Sequence, residues 1–149
     1  MVDSRQKGAK AEADLVKKLS DHTGLTFKRI PMSGALDAVH GLKGDLYIPG
    51  SLNIYCIEVK HYKDDHLTSK ILTDKTPRII EWWIQTIREA AQVSRKPLLV
   101  FKFDRSKWFV GFKDMPSTLD EYLFLSINSH EFYVAKLDDW LTYEQPRFV

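Results

Sequence analysis

Lys43-Gly44-Asp45-Leu46-Tyr47-Ile48-Pro49-Gly50-Ser51-Leu52-Asn53-Ile54-Tyr55-Cys56-Ile57-Glu58-Val59-Lys60 reads as two strands around a turn. Ile54 to Ile57 is apolar and partly branched, as suits a strand inside a sheet. Side chains alternate across a strand, so Glu58 and Lys60 share one face and Val59 takes the other. Lys43 to Ile48 forms a shorter strand, and Pro49-Gly50-Ser51 supplies the turn of a hairpin. Counted from that turn, Asp45 falls alongside Glu58. A charged pair inside a sheet is costly to bury, and a bound divalent cation is one way to offset that cost.

Two carboxylates, the main-chain carbonyl of Val59 and waters form a hard oxygen set suited to octahedral Mg²⁺, with Mn²⁺ able to substitute, and unsuited to zinc. Lys60 is placed to hold or deprotonate an attacking water, or to neutralise charge on a scissile phosphate. The competing reading is a surface ion pair on a hairpin, because the bare pattern of Asp followed by Glu-x-Lys is common.

A helix is expected from Arg5 through Ser20, with Leu15, Val16 and Leu19 as its buried stripe. Glu12 precedes those positions by three, four and seven residues and therefore points inward with them. Two roles stay open for it: a salt-bridged or helix-dipole partner, or a third acid serving a metal or its waters.

Arg5 to Glu12, Lys28-Arg29, Ser33-Gly34, Gly44-Asp45, Glu58-Val59-Lys60 and Lys63 to Leu67, taken in that order, resemble the archaeal-type Holliday junction resolvases of the PD-(D/E)xK nuclease superfamily. The resemblance covers the first half of the chain and continues through Pro97 to Lys102, which looks like the family's next strand. It implies a restriction-endonuclease-like core, an α/β fold with a central mixed β-sheet flanked by helices. It also implies a homodimer that nicks branched DNA at four-way junctions with Mg²⁺, one active site per subunit. Under it, Glu12, Asp45, Glu58 and Lys60 take the catalytic positions, with Asp45, Glu58, Val59 and Glu12 at the metal. Arg29 matches a basic residue after the first helix, and Ser33 matches a serine on a mobile loop beside the site. The loop of residues 31–43 contains Gly34 and Gly41, which permit unusual backbone conformations. Flap, nicking or restriction-like cleavage by the same fold is the nearest alternative, followed by a non-catalytic DNA-binding protein.

Composition fits one compact nuclease domain spanning residues 1–149. No apolar run reaches membrane-span length and the N-terminal residues lack a signal-peptide core, so a cytoplasmic protein is expected, of cellular or viral origin, with no membrane partner. Cys56 is the only cysteine, which excludes an intrachain disulfide and suits a small core residue. A formal charge of +2 does not by itself indicate DNA binding, but thirteen Lys and Arg against ten Asp and Glu up to Arg78 can present a basic surface once the site acids are neutralised. The candidate phosphate contacts are Lys7, Lys10, Lys28, Arg29, Lys63, His66 and Lys70, with Lys75 and Arg78 behind them. His61 is expected to be solvated.

The second half reads as structural. A helix is expected over 78–94 with Ile80, Trp83, Ile84, Ile87 and Ala91 as its buried stripe, leaving Trp82 off the stripe for core capping or a subunit interface. Gln85 lies on Trp82's side, where a polar role near the site is open to it. Strands are expected over 98–103, 108–112, 122–127 and 131–135, and a closing helix over 137–141.

Overall fold

The computed structural model describes residues 4–31 and 42–149, with side chains from residue 6 onward. Helix α1 spans Ser4–Thr23 and leads into the two-residue strand β1 (Lys28–Arg29). Strands β2 (Leu46–Tyr47) and β3 (Tyr55–Tyr62) form the expected hairpin, antiparallel, with Leu46 opposite Ile57. A short helix α2 (Lys70–Thr73) precedes the long helix α3 (Arg78–Gln92), which carries the chain across to β4 (Lys96–Phe103). β4 runs parallel to β3, as a helical crossover permits and a tight turn does not. Strands β5 (Phe109–Phe112), β6 (Leu123–Ile127) and β7 (His130–Lys136) add antiparallel pairs. The result is one seven-stranded mixed sheet in the order β1-β2-β3-β4-β5-β7-β6. Helix α4 (Leu137–Asp139) continues into a π-helical turn, Trp140–Glu144, extending the expected closing helix.

Strand alternation sorts the core into two layers. Leu46, Ile57, Val59, Leu98 and Val100 face α1 and the C-terminal segment, meeting Ala11, Leu15, Leu19, Trp140 and Phe148. Leu99, Phe101 and Phe103 face α3, meeting Ile79, Ile80, Trp82 and Trp83. Glu58 and Lys60 alternate with Ile57 and Val59, so they lie on the α3 side of β3.

The turn between β2 and β3 is fixed by side-chain hydrogen bonds. Asn53 accepts from the Ile48 N–H through Oδ1 (2.7 Å) and donates from Nδ2 to the carbonyls of Ile48 (2.9 Å) and Ser51 (2.9 Å). Gly50 takes φ +72° there. Because a one-residue slip reverses every side chain, this turn decides which face Asp45 and Glu58 share.

Helix α3 is rotated from its expected packing. Trp82 is buried (3 % exposed) in the core, packed with Tyr62 and Phe101, whereas Ile84 is 37 % exposed and Ala91 lies outside. The buried residues are Ile79, Ile80, Trp82, Trp83, Thr86 and Ala90, so the expected Ile80 and Trp83 are buried and the stripe extends toward Ile79, Trp82, Thr86 and Ala90 instead of Ile84 and Ala91. Thr86 interrupts the apolar pattern in the sequence. It is fully buried because its hydroxyl donates to the Trp82 carbonyl at 2.7 Å, which satisfies the polar atom within the helix.

Candidate active site

The hairpin register places Asp45 opposite Glu58, one step along from the Leu46 and Ile57 pair. The Asp45 N–H donates to the Ile57 carbonyl (2.7 Å), and its own carbonyl accepts from the Ile30 N–H (2.8 Å), so the main chain is fixed on both sides. Its carboxylate takes over the ladder beyond β2: Oδ2 accepts from the Val59 N–H at 2.7 Å. In a strand, a residue's N–H and C=O project from the same edge, so the Val59 carbonyl projects toward the Asp45 side as well. Gly44 makes this approach possible. At φ +88°, a Cβ there would lie 2.6 Å from the Ile57 carbonyl oxygen.

Glu58 is 5 % exposed, and Lys60 Nζ lies 3.7 Å from its Oε1. Burial pushes the Asp45 carboxyl up to about 6, with the Glu12 charge adding to it and the Val59 N–H and Lys60 opposing it. Burial, together with the neighbouring acids Glu89 and Asp45, holds Glu58 far above the ordinary carboxylate range. Both carboxylates are thus unfavourable as bare anions, which is the electrostatic condition a bound cation relieves. Two carboxylates side by side with an adjacent main-chain carbonyl fit a hard divalent cation. Among the described residues, no three His, Cys, Asp or Glu side chains converge as a metal-binding group.

Glu12, the third acid expected at the metal, flanks the pair. It points inward as expected, 16 % exposed, but Oε2 accepts from Arg29 Nε at 2.8 Å. Glu12 is therefore salt-bridged at the flank of the site and acts on Asp45 through space. Arg29, on β1, is correspondingly committed to Glu12. Ser33, with Gly34 and Gly41 of the expected loop, lies outside the described residues.

The basic candidates divide in the same way. Lys7 pairs with Asp104 at 2.6 Å and Lys10 with Asp14 at 2.9 Å. Lys28, Lys63 and Lys70 are exposed and make no salt bridge among the described residues. His66 packs against Tyr62, Trp82 and Phe103, and burial lowers its pKa, so it is a poor cation for a phosphate. His61 is 18 % exposed rather than solvated and lies 3.0 Å from Asp104 Oδ1. Cys56 is buried, its thiol pushed up to about 12 by burial and nearby acids, which leaves it inert as a nucleophile.

Two polar residues of α3 complete the surroundings of Glu58. Gln85 Nε2 donates to Glu58 Oε1 at 3.0 Å and lies 3.5 Å from Glu89 Oε1. Glu89, four residues on and one turn further along the same face, was no part of the expected site. Its only signal in the sequence is that spacing from Gln85, which identifies a site only once α3 is known to lie over β3.

A family model described as "Phage putative PDDEXK endonuclease" matches residues 3–147. The chain belongs to that family. Protein D14 of Escherichia phage T5 is 36% identical to this phage-type endonuclease over 148 residues, covering 94% of this chain and 92% of the phage protein. Among solved structures, the Holliday junction resolvase Hjc of Archaeoglobus fulgidus matches 91% of this chain and 93% of its own, with a TM-score of 0.44 and 15% identity. The family is one of PD-(D/E)xK nucleases, and the mixed sheet with flanking helices is the α/β, restriction-endonuclease-like class expected. Among the described residues, no helix of this endonuclease is long and apolar enough to cross a membrane.

Proposed function

We propose that this endonuclease resolves four-way DNA junctions by Mg²⁺-dependent phosphodiester hydrolysis, acting as a homodimer with one site per subunit. The observation that carries the chemistry is the register that sets Asp45 beside Glu58, with Lys60 on the same face. Asp45, Glu58 and the Val59 carbonyl would hold the cation. When bound, it lowers the pKa of an attacking water and stabilises charge developing on the phosphate. Lys60 would orient that water or offset phosphate charge, being held close to Glu58. Glu12 holds the Arg29 guanidinium at the flank of the site, and exposed Lys28, Lys63 and Lys70 supply cations for the DNA backbone.

Junction choice and dimerisation are supported by the ordered sequence resemblance to the archaeal-type resolvases. The phage relative supports a virus-encoded enzyme that acts inside the host cell. The decisive assay incubates equal amounts of four-way junction, flap, linear duplex and single strand with Mg²⁺ and with chelator. Paired symmetric nicks confined to the junction and abolished by chelator are expected. Equal cutting of linear duplex would overturn junction selectivity, and cutting in chelator would overturn the metal.

A further inference from the structure

We propose that Gln85 is a positioning residue of the nuclease site, holding the Glu58 carboxylate in orientation for the cation. The inference rests on the metal-dependent reading of Asp45 and Glu58. Its basis is a three-residue arrangement between α3 and β3. Glu58 is buried inside a sheet strand, where rotation of its carboxylate is limited only by neighbouring side chains. On one side, Lys60 approaches Oε1 at 3.7 Å. From above, Gln85 donates to the same Oε1 at 3.0 Å, and the shared amide nitrogen lies 3.5 Å from Glu89 Oε1. An amide NH₂ has two hydrogens, so one nitrogen can serve both acids at once.

The residue type follows from the charges around it. Asp45 and Glu89 are the acids acting on Glu58, Lys60 is the cation beside it at 3.7 Å, and the other Glu89 oxygen is buried without a hydrogen-bond partner among the described residues. A fourth carboxylate at position 85 would add repulsion and remove the donor. A lysine or arginine there would compete with a divalent cation for the same acids. A neutral donor of glutamine's length meets both demands. Trp82 packs against Tyr62 of β3 and Phe101 of β4 and Thr86 is fully buried, so the amide is carried on a helix docked firmly on the sheet. Supporting hydrogen bonds of this kind typically change metal affinity or activity by about 10–100-fold when removed.

The test is a titration of the DNA-free protein with Mn²⁺ by calorimetry, comparing wild type, Gln85→Met, Gln85→Ala and Asp45→Asn. Methionine keeps the volume and reach of glutamine and deletes the donor, so a purely packing role predicts unchanged affinity. We expect Gln85→Met and Gln85→Ala each to weaken Mn²⁺ binding about tenfold or more. In junction cleavage, both should raise the half-saturating Mg²⁺ concentration by a similar factor while recovering most of the wild-type rate at saturation. Wild-type Mn²⁺ affinity in Gln85→Met overturns the role of Gln85 and leaves the nuclease reading intact. Should Gln85→Met fail to fold, wild-type affinity in Gln85→Ala overturns it equally. Wild type that takes up no Mn²⁺, or takes it up equally as Asp45→Asn, overturns the metal site and this inference together.

Discussion

Replacing Asp45 by Asn should make the metal-free protein more stable while abolishing its chemistry. The substitution preserves side-chain size and an oxygen able to accept the Val59 N–H, now at 2.7 Å. It removes a charge that the fold holds at a cost. Raised from its ordinary 3.8 to about 6, chiefly by burial, the carboxyl costs the metal-free fold about 3 kcal/mol once it is ionised. At pH 8 in chelator, the variant should therefore gain about 2–3 kcal/mol in denaturant unfolding. For a chain of this length, that is a rise in Tm of about 5–10 °C. Addition of Mg²⁺ should reverse the order, because only the wild type has a pair of acids to bind it and gain stability by linkage. Nicking of a junction substrate should fall at least about a hundredfold, since the cation's share of charge stabilisation is lost. An Asp45→Asn protein that is no more stable in chelator, that is still stabilised by Mg²⁺ as the wild type is, or that still nicks at the wild-type rate would refute the reasoning.

Two further outcomes follow from the same geometry. For a carboxyl raised in the fold, the native state binds the proton more tightly than the unfolded chain does. The stabilisation from Asp45 is thus complete below about pH 4 and is lost as pH rises through about 6. Chelated wild type should lose stability across that window, whereas Asp45→Asn should not lose this component, and Mg²⁺ affinity should climb with pH as the site's protons leave. Unfolding measured at several pH values checks this, and parallel curves for the two proteins would contradict it. Gly44→Ala should cost at least about 2 kcal/mol and at least tenfold in cleavage, because its Cβ meets the Ile57 carbonyl oxygen at 2.6 Å at φ +88° and Asp45 is the next residue. Gly24→Ala, at φ +75° with nothing within 4 Å, should cost only about 1 kcal/mol and spare cleavage. Equal losses in the two variants would remove the argument for a close approach at Gly44.

Much of the site is legible in the chain because it is built from local rules. Strand alternation puts Glu58 and Lys60 on one face, the Pro49-Gly50 turn sets the hairpin, and helical spacing turns Glu12 inward. Those rules fail where a residue's surroundings come from distant segments. The partner of Glu12 is settled by β1, which places Arg29 2.8 Å away. Similarly, Lys7 is committed to Asp104 at the end of β4, a pairing that charge counting along the sequence does not show.

What the sequence by itself determined is the hairpin, its register and the chemistry of the residues on it, since these depend on periods of two and of 3.6 residues and on turn geometry. Only the tertiary structure decided how α3 turns its side chains toward β3. Thr86 looks polar in the sequence yet lies fully buried, its hydroxyl satisfied within the helix, on the face that also buries Trp82 and leaves Ile84 outside. The same docking brings Gln85 to 3.0 Å from Glu58 and sets Glu89 beside it. Helical periodicity specifies which side chains share a face. Which face is buried is decided by packing against the sheet, and that packing surrounds Glu58 with the polar groups that define its environment.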